Sequence, residues 1–305
     1  MNNIEMLKKL RDSTGAGMKS CKDSLEESNW DYESALDLLK TKGLNIISNY
    51  MGKPASEGVI AIDKRANWSS MVEVNCNTDF CAKTDDFRIF AQSVATALSD
   101  AVHFENELNV NDSSILAFQN KLVSTFRENI SIGRMINRRR YQAYDKVFDY
   151  LHSNQKIGVL VTLGLDSSLP NERASEIFNS KNFNQLGNDI AMQIAAMNPL
   201  AISFEKLDAS NVDRQKNIFQ SQLASMNKPE ASWPKIMEGK LTKWYKEVCL
   251  LNQESVVMPK ITVEQMIKNV SPAINVINFE RYQVGEGLEA QNQNFAEEVL
   301  KLAEV

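Results

Sequence analysis

The sequence predicts an α+β protein with five parts. These are a small N-terminal three-helix module, two related core halves with antiparallel sheets, an inserted antiparallel helical hairpin and a short C-terminal helical module. Three observations predict it. A strand-like run, a polar stretch and an amphipathic helix follow one another at 71–98 and again at 156–197, which reads as an internal repeat. The second copy is interrupted by two helical runs around Lys228-Pro229. The residues before 44 carry helical stripes alone. The units drawn from this are 1–43, a linker 44–56, core halves 57–152 and 153–284 with the hairpin at about 204–248, and a last module 285–305.

In the first unit, Ile4, Leu7 and Leu10 stripe one helix; Met18, Cys21 and Leu25 stripe a second; Tyr32, Ala35, Leu36 and Leu39 stripe a third. Asp31 is placed to cap the third and Gly43 to end it. Thr14-Gly-Ala-Gly17 joins the first two. A Gly-x-Gly at a helix start can hold phosphate, but no strand precedes it and no Lys-Ser/Thr follows, so a tight interhelical turn fits better. So small a unit buries little surface by itself and serves as a satellite.

After the linker, Val59, Ile60 and Ile62 start a strand that Lys64 to Trp68 turns back into a strand at Met71 to Asn75, a hairpin. A helix begins at Asp85: Phe87, Phe90, Ala91, Val94, Ala95 and Leu98 draw one apolar stripe. Thr84 can cap it, and Asp85 and Asp86 suit its positive end. Another helix is expected near 112–129 and a strand over Met135 to Tyr144. Lys156 to Leu163 is a buried strand. Leu186, Ile190, Ile194 and Met197 stripe a helix stopped by Asn198-Pro199. Leu207 to Met226 and Trp233 to Val248 form the hairpin, and Thr262-Val-Glu-Gln265 is a capping box for a helix through Val270. A strand over Ile277 to Val284 and a last helix striped by Phe295, Val299 and Leu302 close the chain.

Between the strand ending at Asn75 and the helix at Asp85 lies Thr78-Asp79-Phe80-Cys81. Phe80 belongs to neither apolar face, so a large ring sits where a loop tip is expected. Composition alone favours a ring folded back onto the core; the alternative is an aromatic anchor offered to another protein, since such anchors dominate interface energy.

At 305 residues, 43% hydrophobic and 24% charged, the composition is that of an ordinary globular protein. A net charge of −5 argues against a nucleic-acid binder that neutralises phosphates, and Arg138-Arg139-Arg140 reads as a solvated face or docking patch. No apolar stretch approaches the roughly 18 residues of a membrane span, and the N-terminus leads straight into an amphipathic helix, so a cytoplasmic location is expected. Cys21, Cys76, Cys81 and Cys249 show no CxxC spacing and only His103 and His152 accompany them. A zinc site needs a tighter cluster, so scattered reduced thiols and no metal are expected. The sequence holds no Walker loop, HExxH, GxSxG or dinucleotide glycine fingerprint; Gly285-Glu-Gly287 lacks the third glycine. No enzyme activity and no cofactor are expected.

Four segments resemble one family in order. Leu10-Arg-Asp-Ser-Thr-Gly-Ala-Gly-Met18 with Cys21-Lys22, then Glu73-Val-Asn-Cys-Asn-Thr-Asp-Phe80, Asp189-Ile-Ala-Met-Gln-Ile-Ala-Ala196 and Val284-Gly-Glu-Gly-Leu-Glu289 are similar to signatures of elongation factor Ts. That family exchanges guanine nucleotide on elongation factor Tu, which delivers aminoacyl-tRNA. The resemblance implies that the N-terminal module, similar to ubiquitin-associated domains, docks on the GTPase domain of elongation factor Tu through its signature residues Arg11, Thr14, Gly15 and Met18. It implies that the Thr78-Asp79-Phe80-Cys81 loop approaches the helices flanking the nucleotide, with Phe80 wedging between them to loosen magnesium and phosphate. His152 matches a family histidine and becomes a second contact candidate. The chain itself would bind no nucleotide. Two departures stand out: Cys81 replaces the usual Val, and Gln253-Glu-Ser-Val256 replaces a Gln-Pro-Phe-Val run.

Two other classes stay open on the residues alone. One is an adaptor whose three-helix module captures a ubiquitin-like or other helical ligand. The other is a thiol enzyme using Cys76 or Cys81 with His152 as base. Self-association, for instance through the hairpin, is also left open.

Overall fold

The computed structural model describes residues 3–14, 18–39, 55–66, 68–103, 113–140, 142–225 and 232–286. The N-terminal module contains α1 (Asn3–Thr14), α2 (Met18–Glu27) and α3 (residues 32–39). Leu10, Cys21, Leu25, Ala35 and Leu39 form its core, with Leu7, Tyr32 and Leu36 packed against it. At the end of α2 the chain reverses through Asn29 in the left-handed region (φ 52°), as Trp30 N–H donates to Leu25 O and Asn29 N–H to Glu26 O. Asp31 caps α3 as expected. Its Oδ1 accepts from Ser34 N–H at 2.8 Å, and hydrogen bonding by the Ser34 side chain, then by this N–H, holds the carboxyl below its ordinary range. Two stripe residues differ: Ile4 and Met18 are exposed, because they sit at helix ends beyond the three-helix contact. The turn at 15–17, Gly43 and the linker up to residue 54 lie outside the described residues.

The core repeats one order of elements. The first half runs β1 (Glu57–Lys64), β2 (Trp68–Cys76), α4 (Asp79–Ala82), α5 (Asp85–His103), α6 (Ser113–Phe126) and β3 (Ser131–Arg139). The second runs β4 (Lys146–Leu151), β5 (Ile157–Leu165), α7 (Asn171–Asn179), α8 (Lys181–Met197), the hairpin helices α9 (Ala209–Ala224) and α10 (Trp233–Val248), α11 (Val263–Val270) and β6 (Ile274–Gln283). Each half builds an antiparallel three-stranded sheet, ordered β1-β2-β3 and β4-β5-β6.

β2 and β5 are buried along nearly their whole length because each is central in its sheet and covered on both faces. On one face of β2, Val72, Val74 and Cys76 meet the Phe87, Phe90, Ala91 and Val94 stripe of α5. On the matching face of β5, Val159, Val161 and Leu163 meet Phe183, Leu186, Ile190 and Ile194 of α8. Between the sheets, Ile60 and Met71 pack against Val147, Leu160 and Tyr282. The layers are therefore helices, sheet, sheet, helices. Gly158 is placed where the sheets come closest: a Cβ there would lie 2.5 Å from Ile60 Cγ2 and 2.9 Å from Met71 Sδ.

Several boundaries move from their sequence positions. The strand expected over Met135 to Tyr144 is β3, ending at Arg139; the chain then turns, with Gln142 N–H donating to Asp145 Oδ2 at 3.0 Å. β4 and α7 were invisible to periodicity. β4 is a half-buried strand of mixed Lys, Asp and apolar residues, and it belongs to the second sheet although it precedes the boundary drawn at 152. The capping box at Thr262 is complete in both directions, and α8 ends with Asn198 in the left-handed region (φ 44°) ahead of Pro199. The hairpin leaves and rejoins the body at one point, where Leu200 N–H donates to Val248 O and Leu250 N–H to Ala201 O. Its two helices meet through Lys240, whose ammonium donates to Gln222 Oε1 at 2.7 Å and sits over the Phe219 ring. The last module beyond Glu286 lies outside the described residues.

Candidate partner-binding site

The loop after β2 is built in two steps. Thr78 is extended, and its Oγ1 accepts Cys81 N–H at 3.3 Å, which makes it the N-cap of the single turn α4. Thr84 then starts α5: its Oγ1 accepts Phe87 N–H at 3.4 Å while its hydroxyl donates to Cys81 O at 2.8 Å. The expected loop tip is thus one helical turn. Successive residues on a helix point about 100° apart. With Cys81 and Ala82 buried in the core, Asp79 and Phe80 face outward, and Phe80 is 81% exposed. The ring is not folded back.

What fixes this turn comes from the far end of the half. Glu128, between α6 and β3, accepts Asn77 N–H (3.1 Å) and Thr78 N–H (2.9 Å) on Oε2 and the Thr78 hydroxyl (2.6 Å) on Oε1. Asn129 N–H donates to Asn77 Oδ1 at 2.7 Å. Asp79 pairs with Lys83 at 2.5 Å along α4, and that hydrogen bond holds its carboxyl below the ordinary range. Glu128 carries no sequence signal, since its distance along the chain from Thr78 is spanned by α4, α5 and α6.

The cysteines are not all scattered. Cys76 and Cys81 converge, and their sulfurs and a Glu128 oxygen lie within 4.8 Å of one another. Both thiols are buried, and Cys76 Sγ donates to Thr78 O at 3.2 Å. The hydrogen bond to Cys76, followed by burial, pushes the Cys81 thiol well above its ordinary value. A nucleophilic cysteine needs the opposite shift. His152 stands apart as a base: its Nδ1 lies 2.9 Å from Asn154 Oδ1, and Tyr150 lies edge-on beside it.

His152 does share an end of the molecule with the loop. Cys76 pairs across the sheet with Glu57, and Glu57 Oε2 receives Lys156 Nζ at 2.5 Å from the turn that His152 opens. Ile60 N–H donates to Gln155 O in the same turn. Of the N-terminal candidates, Arg11 and Met18 are exposed on their own module, while Gly15 and the Thr14 side chain lie outside the description.

Two buried polar groups explain the remaining signatures. Glu73 of β2, 2% exposed, accepts from Arg134 Nε (2.7 Å), Asn75 Nδ2 (2.9 Å) and Gly285 N–H (2.8 Å). It thereby joins the signature at 73–80 to the one at 284–289. Gly285 is needed there, because its φ of +86° and a Ser56 oxygen 2.9 Å from its would-be Cβ exclude a side chain. Gln193 of α8 donates to Gln253 Oε1 and Glu254 O, both at 3.1 Å, and accepts Val256 N–H at 2.8 Å. The departure at 253–256 therefore keeps its attachment. Glu254 and Ser255 are absorbed locally, Glu254 Oε1 by Lys260 N–H and Ser255 Oγ by Met258 N–H.

Comparison with known proteins decides the family. The family model described as elongation factor TS matches residues 77–286. Elongation factor Ts of Clostridioides difficile (strain 630) is 36% identical over 314 aligned residues, covering 99% of each chain. This chain belongs to the elongation factor Ts family. Members from Lawsonia intracellularis (36% identical, 93% of this chain and 99% of the relative) and Bartonella quintana (36%, 97% of both) agree over the same length. Membership assigns a nucleotide-exchange role in translation elongation and accounts for the four ordered signatures.

Proposed function

We propose that the protein binds GDP-loaded elongation factor Tu and releases GDP by inserting the Phe80 ring beside the nucleotide and magnesium site. The observation that carries this is a ring 81% exposed on a turn held by Thr78 and Glu128. An exposed ring gains little for its own fold, whereas an interface pocket would bury it. Thr78 and Cys81 hold the turn, and Asp79 presents a carboxylate beside the ring. His152, at the same end of the core, offers a second contact, and the N-terminal module docks through Arg11, Thr14, Gly15 and Met18.

The energetics are of the right order. An exchange factor must bind the nucleotide-free partner more tightly than the loaded one, and the coupling is reciprocal. A 10⁴-fold shift takes roughly 5.5 kcal/mol. Burying about 150–250 Å² of Phe at about 25 cal/mol/Å² gives at most ~4–6 kcal/mol. Magnesium is the sensitive target because it demands near-ideal octahedral geometry. No covalent bond is made or broken by this chain. We place the reaction in the cytoplasm; among the described residues no helix is long and apolar enough to cross a membrane.

The test is stopped-flow release of fluorescent GDP from elongation factor Tu. Phe80→Ala is expected to slow release more than it weakens docking measured by calorimetry. Release at the unmodified rate would remove the wedge. Deleting residues 1–50 is expected to weaken docking while leaving residual release at high concentration; loss of all binding would favour the adaptor reading instead.

A further inference from the structure

We propose that Cys76, Cys81 and Glu128 form a binding site for one thiophilic divalent cation of the zinc class, seated beneath the Phe80 turn. Two sulfurs and a carboxylate oxygen lie within 4.8 Å of one another, contributed by the end of β2, the turn α4 and the segment before β3. A tetrahedral zinc ion with bonds of about 2.3 Å to sulfur holds its sulfurs roughly 3.8 Å apart, and separations of no more than 4.8 Å are close to that. Both cysteines are buried, which shields them from competing thiols, while Glu128 is half-buried and leaves an approach from solvent.

The carboxylate favours a metal over a simple thiol pair. An ionised carboxylate offers about four lone-pair positions. Glu128 uses two on Oε2 for Asn77 and Thr78 N–H and one on Oε1 for the Thr78 hydroxyl. Among the described residues nothing takes the remaining position on Oε1. The three bonds also orient the group as outer contacts orient ligands in metal sites. Water would complete the fourth position. Binding displaces the thiol protons into solvent, each cysteine sulfur exchanging its S–H bond for a bond to the ion with no change of oxidation state. The ion would tie both ends of the Phe80 turn to the α6–β3 junction, and this holds whether or not Phe80 acts as a wedge.

The experiment is titration of the full-length, reduced, chelator-treated protein with Co²⁺ as a visible probe, followed by displacement with Zn²⁺. The expected result is one ion per chain, sulfur-to-metal charge-transfer absorption, and a melting temperature that rises with Zn²⁺. Cys81→Val, a substitution of similar size and polarity to a protonated thiol, is expected to fold normally and lose all three signals, and Glu128→Gln, which removes a ligand's charge, to weaken binding by at least the roughly 10–100-fold that loss of an outer contact costs. Substoichiometric binding, binding unchanged in Cys81→Val, or a protein that yields only a Cys76–Cys81 disulfide on exposure to air would overturn the assignment. Slow GDP release by Phe80→Ala is read separately, so failure of either idea leaves the other standing.

Discussion

The two core halves follow the same plan and differ in what they do with the aromatic ring after the central strand. Both start their long helix with a hydroxyl cap and a phenylalanine three residues on. Thr84 accepts Phe87 N–H, Ser180 accepts Phe183 N–H, and both rings are fully buried. The short helices before those caps diverge. On α7, Phe178 packs inward against Phe183, with centroids 5.6 Å apart, and edge-on to Tyr144 at 5.8 Å. On α4, Cys81 and Ala82 fill the corresponding interior space and Phe80 is turned out. A ring beside a central strand is drawn into the core unless smaller neighbours occupy it first. Where it is left outside, as at Phe80, the proposed partner contact would supply the burial that the chain does not.

The largest effect should separate the buried rings Phe87 and Phe183 from the exposed Phe80. Phe183→Ala and Phe87→Ala are each expected to cost about 3–5 kcal/mol in urea unfolding, and Phe80→Ala to change stability by no more than about 0.5 kcal/mol. Equal losses would erase the distinction between the halves. Next, Glu73→Ala removes the buried partner of Arg134 and of Gly285 N–H and should cost about 3 kcal/mol, read as a fall in melting temperature. An unchanged melting temperature would show that the 73–80 and 284–289 signatures are not energetically joined. Smaller again, Thr84→Ala and Ser180→Ala should each cost about 1 kcal/mol, and matched values would sharpen the equivalence of the two caps.

The smallest effect is a titration. Asp79 is held below its ordinary value of 3.8 by Lys83, so its contribution is present above that pH and is lost as pH falls through the depressed folded value. In Lys83→Met, carboxyl titration followed by NMR should move up towards 3.8. No movement would mean that Lys83 does not orient the acidic group beside the ring.

Local chemistry made much of the fold legible. The α5 and α8 stripes, the Asp31 cap, the Thr262 box and the Asn198-Pro199 stop are each written in a few adjacent residues and were recoverable for that reason. β4 was not, because an edge strand carrying Lys146 and Asp149 among its apolar residues does not alternate cleanly. At the candidate site, Thr78 to Cys81 could be singled out from the misfit of Phe80. Glu128 could not, since what identifies it is a contact closed only after α5 and α6 have packed. Cys76 and Cys81 read as unrelated for a similar reason. The strand-to-helix turn, not a CxxC spacing, brings their sulfurs together.

The buried carboxylate of Glu73 is also a mooring. It receives Gly285 N–H from the segment that leaves the core, and it lies three positions ahead of Cys76 on the strand that delivers the Phe80 turn. Tension applied at Glu286 would pass to Arg134 and Arg281 through its carboxylate and to the Glu73 anion through Gly285 N–H, upstream of the ring. A molecule that took hold of Glu286 would be pulling on the strand that carries the Phe80 turn.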